Sequence, residues 1–410
     1  MRAVTAAQSA AALVVAARLA RGRDRPPPFG SHAGRDPAEP ISVVIPARDE
    51  EARIEACLAP LLADPAVREV IVVDDGSRDG TAALAARSGA TVVTGATPPA
   101  GWVGKQWALR QGVEAAAGPV VVLLDADTRP KAGLCAALAG LLDAWDLVSA
   151  GPRFVTGGGV EQALHASFLA TLVYRFGPIG PAVRSPGRLL VNGQCMAFRK
   201  AAMVRADGFA RVRRHLTDDV ALGRLLARDG WRVAFADAGA LLEVDMHTSA
   251  ADVWRQWGRS IALRDVTTPV RLAGDLAVVW LTAALPVLRL AAGRPTPLDL
   301  VLLGQRLLLT AALRGSYREP GPGLALSPLL DPVAAVRLTL AALRPGRTWR
   351  GRTYGRDAAG LARRAAVTPA RRCAGGLDAP QDAARGDRSA GPNGGPPRGR
   401  REPPGRNAAR

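Results

Sequence analysis

Residues 120–130 read VVVLLDADTRP: five apolar residues run without a break into Asp125 and Asp127, with only Ala126 between the carboxylates. A strand that is apolar at every position, not at every second one, is covered on both faces, as in a parallel sheet. Runs of the same kind lie upstream, as ISVVIPA (41–47), EVIVVDDGS (69–77) and ATVVTG (90–95). Helical stretches separate them: DEEARIEACLAPLL (49–62), RDGTAALAARSG (78–89) and GKQWALRQGVEAAAG (104–118). This alternation predicts an α/β domain with a mainly parallel sheet over residues 41–265. In such sheets ligands bind at the carboxyl ends of the strands. The polar residues that stand out are at those ends: Arg48, Asp49 and Glu50; Asp74 and Asp75; Asp125 and Asp127.

The rest of the chain has a different character. Residues 3–20 (AVTAAQSAAALVVAARLA) are apolar and followed at once by RGRDR. Charges that follow the apolar stretch, instead of preceding it, favour an anchor with its basic flank inside over a cleaved signal. We therefore expect a hydrophobic anchor over 1–21 and a linker over 22–40. Beyond residue 268 come LAGDLAVVWLTAALPVLRLAAG, DLVLLGQRLLLTAALR and GLALSPLLDPVAAVRLTLAALR. All are apolar and of helical length, but each carries a charge or a proline, and the second is shorter than the ~20 residues a span needs. They predict membrane-embedded or transmembrane helices over 270–343. The alternatives are buried soluble helices, or a re-entrant hairpin at Pro332. The formal charge is +18, yet residues 344–410 hold 16 arginines against five acidic residues. That tail reads as basic and largely disordered. No aromatic residues interleave its arginines, so we expect no nucleic-acid partner. The four cysteines show no metal-ligand spacing and suit a reducing compartment.

The segments VVIPARDEE, VVDDGSRDGT, GWVGKQWALRQG, LLDADT, NGQCMAFRK and TDDVALGRLLARDGWRV occur in the order and spacing of family 2 glycosyltransferases, and over about residues 40–260 the chain resembles them. GWVGKQWA, and the apolar carboxyl-terminal helices followed by TWRGRTY, resemble the branch of membrane glycosyltransferases associated with carotenoid and hopanoid biosynthesis. The resemblance implies a GT-A (Rossmann-like) nucleotide-sugar-binding fold. It also implies Mg²⁺ or Mn²⁺ as cofactor, a nucleotide-sugar donor (UDP-linked by expectation), and a lipid acceptor at the cytoplasmic face of the cell membrane. Carried over by position, Asp127 would bind the metal, and Asp125 would contact the ribose and support the metal site. Asp74 and Asp75 would hold the base and ribose, and Pro46, Ala47 and Glu50 would line the same pocket. Lys105, ahead of a helix, would meet the diphosphate, an anion that helix amino termini favour. Asp219 would be the base that deprotonates the acceptor hydroxyl, with Asp218 orienting it; the family's usual pair begins with glutamate.

Plainer readings exist for each. Two aspartates can close a strand as a solvated turn, DDGS can be an ordinary turn, and Thr217 or Asp218 can simply cap a helix. His247 is a further metal ligand or, as a lone histidine, structural. VWRQWGRS (253–260) lacks the Gln-x-x-Arg-Trp signature of processive members, and its Trp254, Trp257 and Arg259 suit a membrane surface. Three other functions compete: a polyprenyl-phosphate or polysaccharide-assembly glycosyltransferase, a nucleotidyltransferase, and an inactive membrane scaffold. PARDEEARI has no glycine for a nucleotidyltransferase phosphate loop.

Overall fold

The apolar runs become neighbouring strands in a computed structural model that describes residues 2–30, 39–180, 183, 185–245, 247–344 and the pairs 348–349 and 352–353. The strands are β1 Ile41–Ala47, β2 Val67–Asp74, β3 Thr91–Thr94, β4 Val120–Leu124, β5 Thr128–Pro130, β6 Leu147–Gly151, β7 Arg153–Phe154, β8 Cys195–Arg199, β9 Val233–Asp237 and β10 Leu242–Val244. Seven form one sheet in the order β3-β2-β1-β4-β8-β6-β9. All its pairings are parallel except those of β8, which runs antiparallel to both β4 and β6. β5, β10 and β7 make a second, three-stranded sheet.

The unbroken apolar pattern has the expected cause. Val43, Ile45, Val70, Val72, Val120, Val122 and Leu124 face one core, with Leu58 and Leu138 from covering helices. The intervening Val44, Ile71, Val73, Val121 and Leu123 face the other, against Leu109, Val113, Leu222 and Leu226. Fully burying such a side chain contributes roughly 1.5–3 kcal/mol, so both faces support the sheet. On the second face the Gly104–Ala115 helix lies very close to the strands. A Cβ at Gly112 would fall 2.3 Å from Val44 Cγ1 and 2.9 Å from Val73 Cγ2.

A third core holds the membrane-like elements together. It joins Val15 of the Arg2–Ala20 helix, Phe168 and Tyr174 of the Gly159–Phe176 helix, and Ile261 to Val279, Leu309, Leu324 and Leu338 of the carboxyl-terminal helices. The amino-terminal helix thus packs against the carboxyl-terminal bundle along one stripe, through Gln8, Ala11 and Val15. Among the described residues, three helices are long and apolar enough to cross a membrane: Arg2–Asp24, Pro269–Ala291 and Pro322–Leu343. Pro297–Ala312, at 16 residues, is short for a span, as its sequence indicated. Pro286, which has no N–H to donate, follows a π-helical turn at Trp280–Ala284 that absorbs the interruption. Outward faces of the bundle carry Leu13, Val270, Leu300, Val301, Leu307, Leu308 and Leu329, all exposed.

The charges inside these apolar stretches are paired. Arg306 Nε donates to Asp331 Oδ2 at 2.7 Å, and its other nitrogens reach Thr310, Ser327 and Asp331 Oδ1. Asp299 accepts from Gln8 at 2.7 Å, completes a capping box with Thr296, and is met by Arg289. In the expected linker, Phe29 N–H donates to Asp237 O and Arg25 pairs with Asp237. Most of the basic tail lies outside the described residues, as does its expected disorder.

Candidate functional site

Three adjacent strand ends, those of β2, β1 and β4, bring together the residues expected to hold the nucleotide-sugar. β1 and β2 pair in register, with Pro46 opposite Val73 and Ala47 opposite Asp74, and the Asp75 N–H donates to Ala47 O at 2.9 Å. Gly76, at φ 73°, turns the chain after β2; a Cβ there would meet nothing, so the conformation and not the space requires glycine. The turn is then tied down. Asp74 Oδ1 accepts from Ser77 N–H, and Arg48 Nη1 donates to Asp75 O at 2.9 Å. Glu50 N–H donates to Thr81 Oγ1 at 2.8 Å, and the buried Glu50 carboxylate pairs with Arg53 at 2.7 Å.

β4 ends at Leu124, so Asp125 and Asp127 lie beyond the strand and not on one of its faces. They occupy a turn between β4 and β5, and their surroundings differ. The Asp125 N–H donates to Gln194 O, and its carboxylate takes the Lys105 ammonium at 2.7 and 2.9 Å. Asp127 receives no such cation. Its Oδ1 is buried with no hydrogen-bond partner. Burial, then the charges of Asp125 and Glu50, pushes its carboxyl up to about 7. A buried oxygen without a donor, beside two other carboxylates, is the chemistry a hard divalent cation satisfies. Among the described residues, however, no three His, Cys, Asp or Glu side chains form a ligand group by themselves. A cation at Asp127 would need oxygens from the diphosphate, the usual arrangement for Mg²⁺.

The Asp218–Arg228 helix begins with the expected pair. Asp219 Oδ2 accepts from Gly193 N–H at 2.9 Å and Oδ1 from Val220 N–H at 2.7 Å. Burial raises the Asp219 carboxyl, against these two donors and Lys105. Burial lifts Asp218 to about 7, with Lys105 opposing and Asp219 and Asp125 adding. Burial also works against the charge of Lys105, but Asp125, Asp218 and Asp219 outweigh it and hold the ammonium protonated. One cation therefore acts on carboxylates both at the end of β4 and at the start of the Asp218–Arg228 helix. Thr217 does not cap the helix with its side chain. Its Oγ1 donates to Asp265 Oδ1 at 2.5 Å, while Asp265 Oδ2 accepts the N–H groups of Leu216 and Thr217.

Several contributors were not read from the sequence. Asp265 lies 46 positions beyond Asp219 and carries no local signal. Gly193 sits inside the noted NGQC motif, but its role is spatial: a Cβ there would come 2.9 Å from Asp219 Cβ. His247 is buried and stacks at 6.5 Å on Trp257, with His165 at 6.1 Å. Trp257 packs inward against His165 (4.4 Å) and Phe168 (5.8 Å), not only at a surface. Neither His247 nitrogen has a hydrogen-bond partner, and burial lowers its pKa to about 4, leaving a neutral ring. The chain reaches it just after Asp245, whose N–H donates to Asp127 O at 3.3 Å.

Residues 42–205 match the family model described as Glycosyl transferase family 2. The chain is 29% identical over 196 residues to a 4,4'-diaponeurosporenoate glycosyltransferase of Staphylococcus haemolyticus, covering 46% of this chain and 52% of that one. It is 40% identical over 118 residues to an uncharacterised glycosyltransferase of Mycobacterium tuberculosis, covering 28% of this chain and 50% of the other. The chain thus spans about half the length of the curated relatives it matches. In fold it is similar to the mannosyltransferase PcManGT of Pyrobaculum calidifontis, solved with GDP-Man and Mn²⁺, at a TM-score of 0.50 and 21% identity over 83% of this chain and 97% of that one.

Proposed function

With residues 42–205 matching the glycosyltransferase family 2 model, we propose that the chain moves a single sugar, with inversion, from a nucleotide-sugar to a hydroxyl of a membrane lipid. The donor is UDP-linked, and the acceptor is a carotenoid or related isoprenoid. The carrying observation is Lys105, bonded to Asp125 and lying in the field of Asp218 and Asp219. A cation in that position neutralises a leaving diphosphate on one side and keeps a general base ionised on the other.

Each group has one task in this reading. Pro46, Ala47, Glu50, Asp74 and Asp75 hold the base and ribose at the ends of β1 and β2. Asp127, with Asp125 beside it, would hold Mg²⁺ or Mn²⁺, which when bound offsets diphosphate charge. Asp219, held by the Gly193 and Val220 N–H groups, takes the acceptor proton as the hydroxyl oxygen attacks the anomeric carbon. The bond to the nucleotide diphosphate breaks as the new one forms. One displacement with one base inverts the anomeric centre. The name of the staphylococcal relative, which denotes an isoprenoid carboxylate, supports the isoprenoid skeleton of the acceptor but not its hydroxyl, and the three span-length helices among the described residues support a membrane site.

The test is nucleotide release by the full chain in nanodiscs, with UDP- and GDP-sugars, a hydroxylated carotenoid or a polyprenyl phosphate, and Mn²⁺ or EDTA. Release that needs metal and the hydroxylated lipid, and that Asp127→Ala and Asp219→Ala both abolish, is the expected result. Release driven by polyprenyl phosphate and surviving Asp219→Ala would overturn it, because a phosphate acceptor needs no deprotonation.

A further inference from the structure

Away from the carboxylate site, arginines collect where the catalytic domain meets the bundle. Asp275 is buried and faces three of them: Arg188 Nη1 at 2.7 Å, Arg18 Nη2 at 3.8 Å and Arg175 Nε at 3.8 Å. Arg175 is fully buried and also donates to Ile261 O and Ala262 O. Arg224, 1% exposed, donates to Leu189 O and Val266 O, meets no carboxylate, and leaves its Nη2 buried without a partner. Phe176 lies under both guanidinium groups, at 4.9 Å from Arg175 and 5.7 Å from Arg224. Arg271 is exposed, has no carboxylate partner among the described residues, and crowds the 186–188 turn, its Nη1 2.1 Å from where a Gly187 Cβ would be.

Three arginines thus share one carboxylate, Arg224 and Arg271 meet none, and two of the five, Arg175 and Arg224, are out of water. Buried charge without a counter-charge is costly, so the cluster is short of anions. Burial and the neighbouring arginines lower Arg224 to about 10, in keeping with that shortage. The cluster also has a defined depth. Arg18 is in the last turn of the amino-terminal apolar helix, and Arg271 and Asp275 are in the first turns of Pro269–Ala291. Both candidate spans therefore place it at one end, at the level of lipid headgroups.

We propose that Arg188, Arg224 and Arg271, with Arg18 and Arg175 behind them, bind the phosphate of an anionic membrane phospholipid. The inference rests on the membrane reading above but not on the identity of donor or acceptor. The bound phosphodiester supplies the missing counter-charge and, through Arg175 and Arg224, steadies residues 261–267, which carry Asp265 to the acceptor-side helix.

The experiment titrates short-chain phosphatidylglycerol, phosphatidylcholine or inorganic phosphate into the full chain in neutral detergent and follows Tm. Phosphatidylglycerol is expected to raise Tm saturably and phosphatidylcholine not at all. Arg271→Gln, which leaves the Arg188–Asp275 pair intact, should keep the lipid-free Tm and weaken the phosphatidylglycerol effect about 5-fold, at about 1 kcal/mol per arginine. A control pair on exposed helices, Arg87→Gln with Arg205→Gln, should behave like the parent. No phosphatidylglycerol effect, or equal loss in the control pair, overturns the site. Inorganic phosphate acting as well as the lipid overturns the lipid source. Failure of the full chain to enter phosphatidylcholine nanodiscs would count instead against the membrane reading.

Discussion

The candidate aspartates look alike in the sequence and acquire different chemistry from their partners. Asp125 is neutralised by Lys105, Asp127 keeps a bare oxygen, and Asp219 is held by two backbone donors. Replacing Asp219 by Asn should cost about 10²–10⁴-fold in kcat on a hydroxyl acceptor while leaving donor binding intact. A competition assay with nucleotide, run beside the kinetics, separates the two. The pH profile follows from burial. A base works deprotonated, so activity should fall as pH drops through the Asp219 carboxyl, which burial raises above the ordinary aspartate range. Lys105→Met removes the cation that lowers it, and the acid limb of kcat/KM against pH should move up. Stability runs the opposite way. A carboxyl raised by folding favours the native state at low pH, and that contribution is lost as pH rises through about 7. Asp218→Asn should therefore melt higher than the parent above pH 7, with the difference vanishing on the acid side. Residue types and spacing made this set of aspartates legible. What they could not carry is the partition of roles, because that depends on Lys105, 20 positions before Asp125.

At the scale of elements, the parallel sheet was readable because burial on both faces leaves a distinct pattern, and β1, β2 and β4 lie where their runs are. The end of β4 was not. Asp125 and Asp127 leave the strand because Asp125 N–H bonds to Gln194 O and Thr128 N–H to Asp125 O, contacts with no signature in the run itself. Helix spacing on the sheet is equally invisible in sequence. Gly112 is unremarkable there, yet its missing side chain lets the Lys105 helix approach β1 and β2. Gly112→Ala, despite its better helix propensity, should cost about 1–3 kcal/mol, read as a lower Tm. Asp265 is a further positioning device, since three bonds from one carboxylate set the turn ahead of Asp218. Asp265→Asn should lower kcat with KM for the donor unchanged.

Across the whole molecule, charges within apolar stretches counted in the sequence against membrane helices. Folding pairs them: Arg306 with Asp331, and Asp299 with Gln8 and Arg289. Sequence could not show this, since the partners lie in separate helices and Gln8 comes from the other end of the chain. Arg306→Met strands a buried carboxylate and should cost about 3–5 kcal/mol, whereas Arg306→Met with Asp331→Leu should recover most of it. Unfolding in mild detergent gives the comparison.

The rarity of lysine has a practical consequence. Lys105, Lys131 and Lys200 are the chain's only side-chain amines. Lys131 is half exposed beside Glu243, whereas Lys105 is clamped on Asp125 with its proton held tightly. Acylating reagents attack the neutral amine, so Lys131 should label early and Lys105 last. The extent of acylation at Lys105, read by mass spectrometry, then becomes a chemical gauge of whether the carboxylate site is intact in any preparation.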